Sequence, residues 1–323
     1  MKLVYLIQWK DDPFDTLRAK HPDMTFVHAT SQAEAIAELA DTEILVVGGP
    51  FYAGDLAVAV NTAAPKLRWI QSISIGLDQF EKGGVPEGVL FTNAAGLKGG
   101  TVAEHAMAML LGYLHGIPQM DRFKADKHWG RTEMRGEISG LEGSTFLVLG
   151  YGSIGQEVGR KARAFDAHVI GINRSGQDAP HADEIHPITE LATYLPKADV
   201  VVCTLPLAED TSRIIGQAAF AAMKSSALFV NVGRGAVVDH DALKQALTDG
   251  QIAGACLDVF DQEPLPSDDM LWSLPNVLIS PHIAGNGGQM VPRFTALVGE
   301  NIERLKDGRD LINVQTVKAT AAE

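Results

Sequence analysis

Short apolar runs recur at a regular interval through the second half of the chain. They occupy 145–149, 168–172, 200–205, 227–232, 252–259 and 277–280. Between most of them lie stretches with helical spacing, at 154–165, 217–223 and 239–248. A strand that is apolar throughout must be covered on both faces, so this alternation predicts a parallel sheet between two layers of helices. Asp239 and Asp241 open the 239–248 helix, where carboxylates suit the free N–H groups, and Gly250 stands just past its end. The first hundred residues repeat the rhythm more faintly, with strands expected at 3–7, 25–28, 43–47, 69–74 and 90–92 and a helix at 32–39. Residues 101–114 are apolar nearly all round, which predicts a buried helix, and 291–305 carry an amphipathic helical pattern.

At roughly 150 residues per domain, 323 residues suggest two domains. No low-complexity linker separates them, so a cleft between ordered elements is the expected ligand site. A composition 46% hydrophobic and 21% charged excludes disorder as the main state. Lys and Arg number 27 against 40 Asp and Glu, a net charge of −13. An acidic chain is ill-suited to nucleic acid or anionic membrane, although a local cationic pocket can still take a small anion. Cys203 and Cys256 lie inside apolar runs without metal-type spacing, so they read as reduced core thiols, and no metal is expected. The N-terminal apolar run is too short for a signal-peptide core, and no run reaches 18 residues. A cytoplasmic protein is expected.

Glycine is in excess, 32 of 323 residues, and one cluster has a chemical address. The 145–149 strand runs into Gly150-Tyr151-Gly152-Ser153-Ile154-Gly155 and then a helical stretch. Strand, GxGxxG and helix in that order form the context of a dinucleotide-binding turn. Gly150 allows the tight turn, Gly152 admits a pyrophosphate to the backbone, and Gly155 lets helix and strand pack closely. The next strand ends at Asn173-Arg174-Ser175. An acidic residue there would accept from the ribose 2′-hydroxyl of NAD and repel a 2′-phosphate. An amide, a guanidinium and a hydroxyl instead favour NADP(H), with NAD(H) the weaker alternative.

Three charged or titratable residues follow successive strands: Arg234, Glu263 and His282. In open parallel sheets ligands bind beyond the carboxyl ends of the strands, so the three should meet beside the nicotinamide. Reduction of a 2-keto acid needs these types. An Arg holds the carboxylate and polarises the carbonyl, a His delivers the proton, and a carboxylate fixes the imidazole.

The ordered set of 101–105, 150–155, 231–235, 257–264 and 280–285 resembles the D-isomer-specific 2-hydroxyacid dehydrogenase family, which includes glyoxylate and hydroxypyruvate reductases. The likeness spans nearly the whole chain. It implies two Rossmann-like α/β domains: a doubly wound parallel-sheet dinucleotide-binding domain, 99–287, and a smaller flavodoxin-like substrate domain built from 1–98 plus 288–323. It assigns Arg234 to the substrate, Glu263 to the His partner and His282 to acid–base catalysis. It places cofactor contacts at Thr101, Thr204, Pro206 and Asp258 beside the 150–155 loop, and substrate contacts at Ile75 and Gly76. It also implies a homodimer, in which Trp129 could reach a neighbouring active site. Gly287 and Gln289 replace the Thr and Glu that relatives often carry after the His motif. Ending at Glu323, the chain is expected to lack the regulatory domain of many phosphoglycerate dehydrogenases.

Tyr52, after a strand of the first domain, is a candidate contact to the substrate side chain. With Phe51 it would favour an apolar or aromatic 2-keto acid. The reading is therefore an NADPH-preferring 2-ketoacid reductase. The alternatives are an NAD-dependent relative acting on formate, phosphite or phosphoglycerate, and a non-enzymatic, corepressor-like nucleotide sensor.

Overall fold

Strand sequences that are apolar nearly throughout bury both faces, and the central strands of both sheets are built this way. The computed structural model describes residues 1–9, 12–287 and 290–317. The chain divides into two compact units, Met1–Leu97 with Gly288–Glu323, and Lys98–Gly287.

The first unit carries β1 (Lys2–Leu6), β2 (Thr25–His28), β3 (Ile44–Val47), β4 (Trp69–Ser72) and β5 (Leu90–Thr92), all parallel in the order β2-β1-β3-β4-β5. Successive residues of β1 feed opposite cores. Leu3 and Tyr5 pack with Phe14, Phe294, Val298 and Ile302, while Val4 and Leu6 pack with Tyr52, Leu56 and Phe80. Phe294, Val298 and Ile302 come from the C-terminal helix Met290–Asp307, whose apolar stripe closes one face of this sheet. Asn301 on that helix is fully buried. It accepts from the Ile312 N–H at 2.8 Å and donates to the Ile312 carbonyl at 3.2 Å, tying the following chain back to the helix.

The second unit carries β6 (Thr145–Leu149), β7 (His168–Asn173), β8 (Glu184–Pro187), β9 (Val200–Cys203), β10 (Leu228–Asn231), β11 (Gly254–Leu257) and β12 (Val277–Ile279). They form one parallel sheet in the order β12-β11-β10-β9-β6-β7-β8. Leu147, Val201, Phe229 and Leu257 face one core, and Val148, Val202, Val230 and Cys256 face the other. The helices Gly99–Leu114 and Ser153–Arg163 belong to the second of these layers. Asp239 caps His240–Thr248 by accepting from the N–H groups of Asp241 and Ala242, an arrangement worth about 1 kcal/mol.

The structure amends the sequence reading in places. The helix Gly54–Ala63 and the edge strand β8 carry no sequence expectation. β9 ends at Cys203 rather than 205, because the Thr204 hydroxyl turns back to the Gly150 carbonyl at 2.6 Å. β11 spans only Gly254–Leu257, the core of the expected 252–259 run.

Candidate active site

Because every strand of the second sheet is parallel, their carboxyl ends share one edge, and the loops after β6, β7, β9, β10, β11 and β12 all leave from it. β6 has β9 on one side and β7 on the other, so the chain reverses its direction of winding at the loop after β6, where such sheets bind ligands.

Gly150 turns that loop with φ +88°, in the left-handed region. A Cβ on it would press on the Thr204–Leu205 backbone at 2.9 to 3.0 Å, and one on Gly155 would stand 2.5 Å from the Gly150 carbonyl oxygen. Gly152 is the opposite case, since a Cβ there would meet nothing within 4 Å. Gly152 also precedes the helix Ser153–Arg163, which has no side-chain cap and no acidic residue in its first turn. Open backbone, uncapped N–H groups at Ser153 and Ile154, and the positive end of the helix dipole fit a pyrophosphate.

After β7 the side chain of Asn173 builds a turn. It accepts from the N–H groups of Ser175 and Gly176 and donates to the Gln177 carbonyl at 2.7 Å. One amide hydrogen is thus committed within the protein. Ser175 Oγ accepts from Gln177 N–H at 3.4 Å. Arg174 projects from this turn 81% exposed, its guanidinium 3.9 Å from Asp210. The strand itself ends in an amide, Asn173, and not in a carboxylate.

The three catalytic candidates occupy neighbouring strand ends. His282 Nδ1 donates to Glu263 Oε2 at 2.6 Å, and Glu263 Oε1 accepts from Phe260 N–H at 3.0 Å. The pairing assigns the Nδ1 proton and leaves Nε2, on a half-exposed ring, without a partner among the described residues. Burial works to raise the Glu263 carboxyl, but His282, the Phe260 amide and the Arg234 charge together hold it below its ordinary value. Arg234 starts the turn after β10 and donates to the Gly233 carbonyl at 2.9 Å. Its loop is pressed against the one bearing Glu263, because a Cβ on Gly235 would overlap the Phe260 carbonyl.

Residues 107–284 match the family profile "D-isomer specific 2-hydroxyacid dehydrogenase, NAD binding domain". The chain belongs to this family. A glyoxylate reductase of Korarchaeum cryptofilum is 35% identical over 268 residues, 80% of each chain. A 2-hydroxyacid dehydrogenase family protein of Aeromonas salmonicida, solved as a crystal structure, matches with TM-score 0.88 at 29% identity over 98% of both chains. Another from Xanthobacter autotrophicus, solved with NADPH and MES, matches with TM-score 0.76 at 25% identity over 98% of both. This 2-hydroxyacid dehydrogenase is thus an oxidoreductase that uses a nicotinamide dinucleotide and a small-molecule substrate.

The remaining candidate residues of the dehydrogenase fall into distinct settings. Thr101 lies in the first turn of Gly99–Leu114, close enough to Gly287 that a side chain there would collide with it. Thr204 clamps the Gly150 carbonyl, and the Pro206 carbonyl accepts from Thr211 Oγ1 at 2.7 Å. Asp258 is buried and spends its carboxylate on the loop of His282. In the first unit, Ile75 and Gly76 follow β4, and the Ile75 carbonyl accepts from Asn93 Nδ2 at 2.9 Å. Tyr52 must be corrected. It is fully buried, stacks on Phe80 at 4.5 Å and donates to the Gly84 carbonyl at 2.7 Å, so it is a core residue and not a substrate contact. Gln289 lies outside the described residues.

Sequence patterning does not single out Lys98. Its stem lies against Gly285, where a Cβ would stand 3.0 Å from Lys98 Cδ. Burial and the charge of Arg234 push its ammonium below the ordinary lysine value. Two cations thus share one edge of a strongly acidic chain. The only available signal was a lysine immediately before a buried helix.

Proposed function

We propose that the protein is an NADPH-preferring reductase that converts small 2-keto acids, glyoxylate or hydroxypyruvate, to D-2-hydroxy acids. The observation that carries this reading is the 2.6 Å bond from His282 Nδ1 to Glu263, a carboxyl that the Arg234 charge also helps to hold below its ordinary value. When bound, the nicotinamide dinucleotide supplies the hydride to C2. His282 Nε2 gives the carbonyl oxygen its proton and takes it back in the oxidative direction. Glu263 fixes the imidazole ring and stabilises its charged form. Arg234 holds the substrate carboxylate and polarises the carbonyl. Backbone at Ile75 and Gly76 provides further contacts to that carboxylate. With Tyr52 committed to the core, its ring is not available to an aromatic substrate side chain, and the glyoxylate reductase relative supports a small one.

The dinucleotide would be held by Gly150, Gly152, Ser153, Ile154 and Gly155 at its pyrophosphate, with Thr101, Thr204, Pro206 and Asp258 around the nicotinamide half. The NADP preference rests on Asn173, Arg174 and Ser175, none of them acidic, with Arg174 81% exposed and only loosely held, 3.9 Å from the exposed Asp210, so that a 2′-phosphate can compete for its guanidinium. The NADPH complex of the Xanthobacter relative supports it. A charge-assisted bond of about 1.5–3 kcal/mol corresponds to roughly a ten- to hundredfold preference. A homodimer is part of this reading, supported by the exposed Ile117, Met120, Trp129 and Ile138 on one stretch of the second unit. A cytoplasmic location is part of the same reading; separately, no helix among the described residues is long and apolar enough to cross a membrane.

The test is kcat/KM for glyoxylate, hydroxypyruvate, phenylpyruvate and phosphohydroxypyruvate, each with NADPH and NADH. Turnover of the two small acids with a tenfold or greater NADPH advantage is expected. A clear NADH preference overturns the cofactor assignment, and dinucleotide binding without turnover overturns the enzymatic one.

A further inference from the structure

His282 sits at φ +52°, a left-handed conformation that residues with a side chain rarely adopt. One residue holds it there. The Asp258 carbonyl accepts from the His282 N–H at 2.8 Å, and the Asp258 carboxylate accepts from the next two amides, Ile283 to Oδ1 and Ala284 to Oδ2, each at 3.0 Å. Three consecutive amides of the proposed acid–base loop therefore hang on Asp258, which is 1% exposed.

The aim of that carboxylate depends on Ser280. The serine hydroxyl has a single hydrogen and two acceptors in reach, Asp258 Oδ1 and the Met109 sulfur at 3.4 Å. His105, one turn beyond Thr101 on the helix Gly99–Leu114, resolves the choice. Its Nε2 stands 2.8 Å from Ser280 Oγ and 3.5 Å from Asp258 Oδ1. An Nε2–H donated to the serine oxygen commits the serine hydrogen to the carboxylate, because hydroxyls in a chain orient one another.

We propose that His105 is a positioning residue for the reaction. Through Ser280 and Asp258 it holds the strained backbone from which His282 reaches the substrate. The chain is His105 Nε2–H to Ser280 Oγ, Ser280 O–H to Asp258 Oδ1, and Asp258 to the amides around His282. Neither His105 nor Ser280 is among the proposed contacts to substrate or dinucleotide, and the Asp258 carboxylate keeps its bonds to the Ile283 and Ala284 amides in their variants, so the effect falls on kcat rather than on ground-state binding. The proposal rests on the assignment of His282 as the acid–base group.

The full-length protein with NADPH and glyoxylate tests it, through His105→Leu, His105→Gln, Ser280→Ala and the His105→Leu/Ser280→Ala double variant. His105→Leu and Ser280→Ala should each lower kcat at least tenfold, with KM for glyoxylate and the fluorescence-measured NADPH Kd within twofold of wild type. The double variant should be no slower than the worse single one, and His105→Gln, whose amide can still donate to Ser280, should recover most of kcat. If His105→Leu fails to fold, Ser280→Ala and His105→Gln carry the decision. The proposal is overturned if both His105→Leu and Ser280→Ala keep kcat within twofold, if His105→Gln is as impaired as His105→Leu, or if the losses appear in KM and Kd. His282→Asn, run in parallel, separates the two levels. An inactive His282→Asn beside an unimpaired His105→Leu removes only the present proposal, whereas an active His282→Asn removes the acid–base assignment and this proposal with it.

Discussion

A side chain at Gly235 would have to begin inside the carbonyl group of Phe260. The turn carrying Arg234 and the loop carrying Glu263 therefore meet backbone to backbone, which lets charged groups from two strands come together. Gly235→Ala must push these loops apart, and such overpacking costs about 1–3 kcal/mol or more. The expected outcome is a lower melting temperature together with a loss of kcat/KM. Gly152→Ala is the contrasting case. With nothing within 4 Å of its Cβ, it should melt within about 2 °C of wild type yet bind NADPH at least tenfold more weakly. Thermal melts and fluorescence titrations check both.

His282→Asn should lower kcat by about 10²–10⁴, the usual worth of a positioned acid–base group, with NADPH affinity nearly unchanged. Arg234→Ala should raise KM for glyoxylate as well, because the carboxylate loses its partner. Steady-state kinetics beside cofactor titration separates the two patterns.

Asn173→Asp should move the cofactor preference toward NADH. The new carboxylate can still accept from the N–H groups of Ser175 and Gly176, so the turn keeps two of its three bonds and loses the donation to Gln177. A carboxylate at this strand end binds a ribose 2′-hydroxyl and repels a 2′-phosphate. The ratio of kcat/KM for NADPH over NADH should fall at least tenfold; an unchanged ratio would mean that the strand end does not read the ribose.

Glu263 also makes stability depend on pH. Its folded pKa is depressed, so the contribution is fully present above the ordinary value of 4.5 and is lost as pH falls from there through the folded value. Both partners are more than a third exposed, which keeps the increment small. The melting-temperature gap between wild type and Glu263→Gln should be constant at neutral pH and narrow below 4.5.

Burial pushes both thiols, Cys203 and Cys256, up to about 12. Neither forms enough thiolate at pH 8 to react, so a thiol-specific reagent should label the folded protein only as fast as it opens and should label two groups after denaturation.

The parallel sheets were legible because their strands are apolar on both faces, and β2 and β5 fall where their pattern places them. β8 was not legible. Its sequence, Glu-Ile-His-Pro, is an edge strand half open to water, with none of the apolar continuity that marks the central strands. The glycine loop could be read because tight turns and close approaches admit few residue types. Tyr52 was misread because a loop aromatic looks the same in sequence whether it faces a ligand or stacks on Phe80. The link from His105 through Ser280 to Asp258 joins residues far apart in the chain, and only the sheet's packing against its helix brings them together.

The helix Met290–Asp307 supplies Phe294, Val298 and Ile302 to a core whose other half is Leu3, Tyr5 and Phe14. On the ribosome these two halves emerge far apart in time. At about 5–20 residues per second, the first strands wait roughly 15–60 s for the helix that covers them. The second unit, continuous in sequence, is complete before the first can close. The unit that begins at the N-terminus is therefore the last to fold, and a released chain truncated before residue 290 should hold a protease-resistant Lys98–Gly287 unit behind a leading segment that remains cleavable.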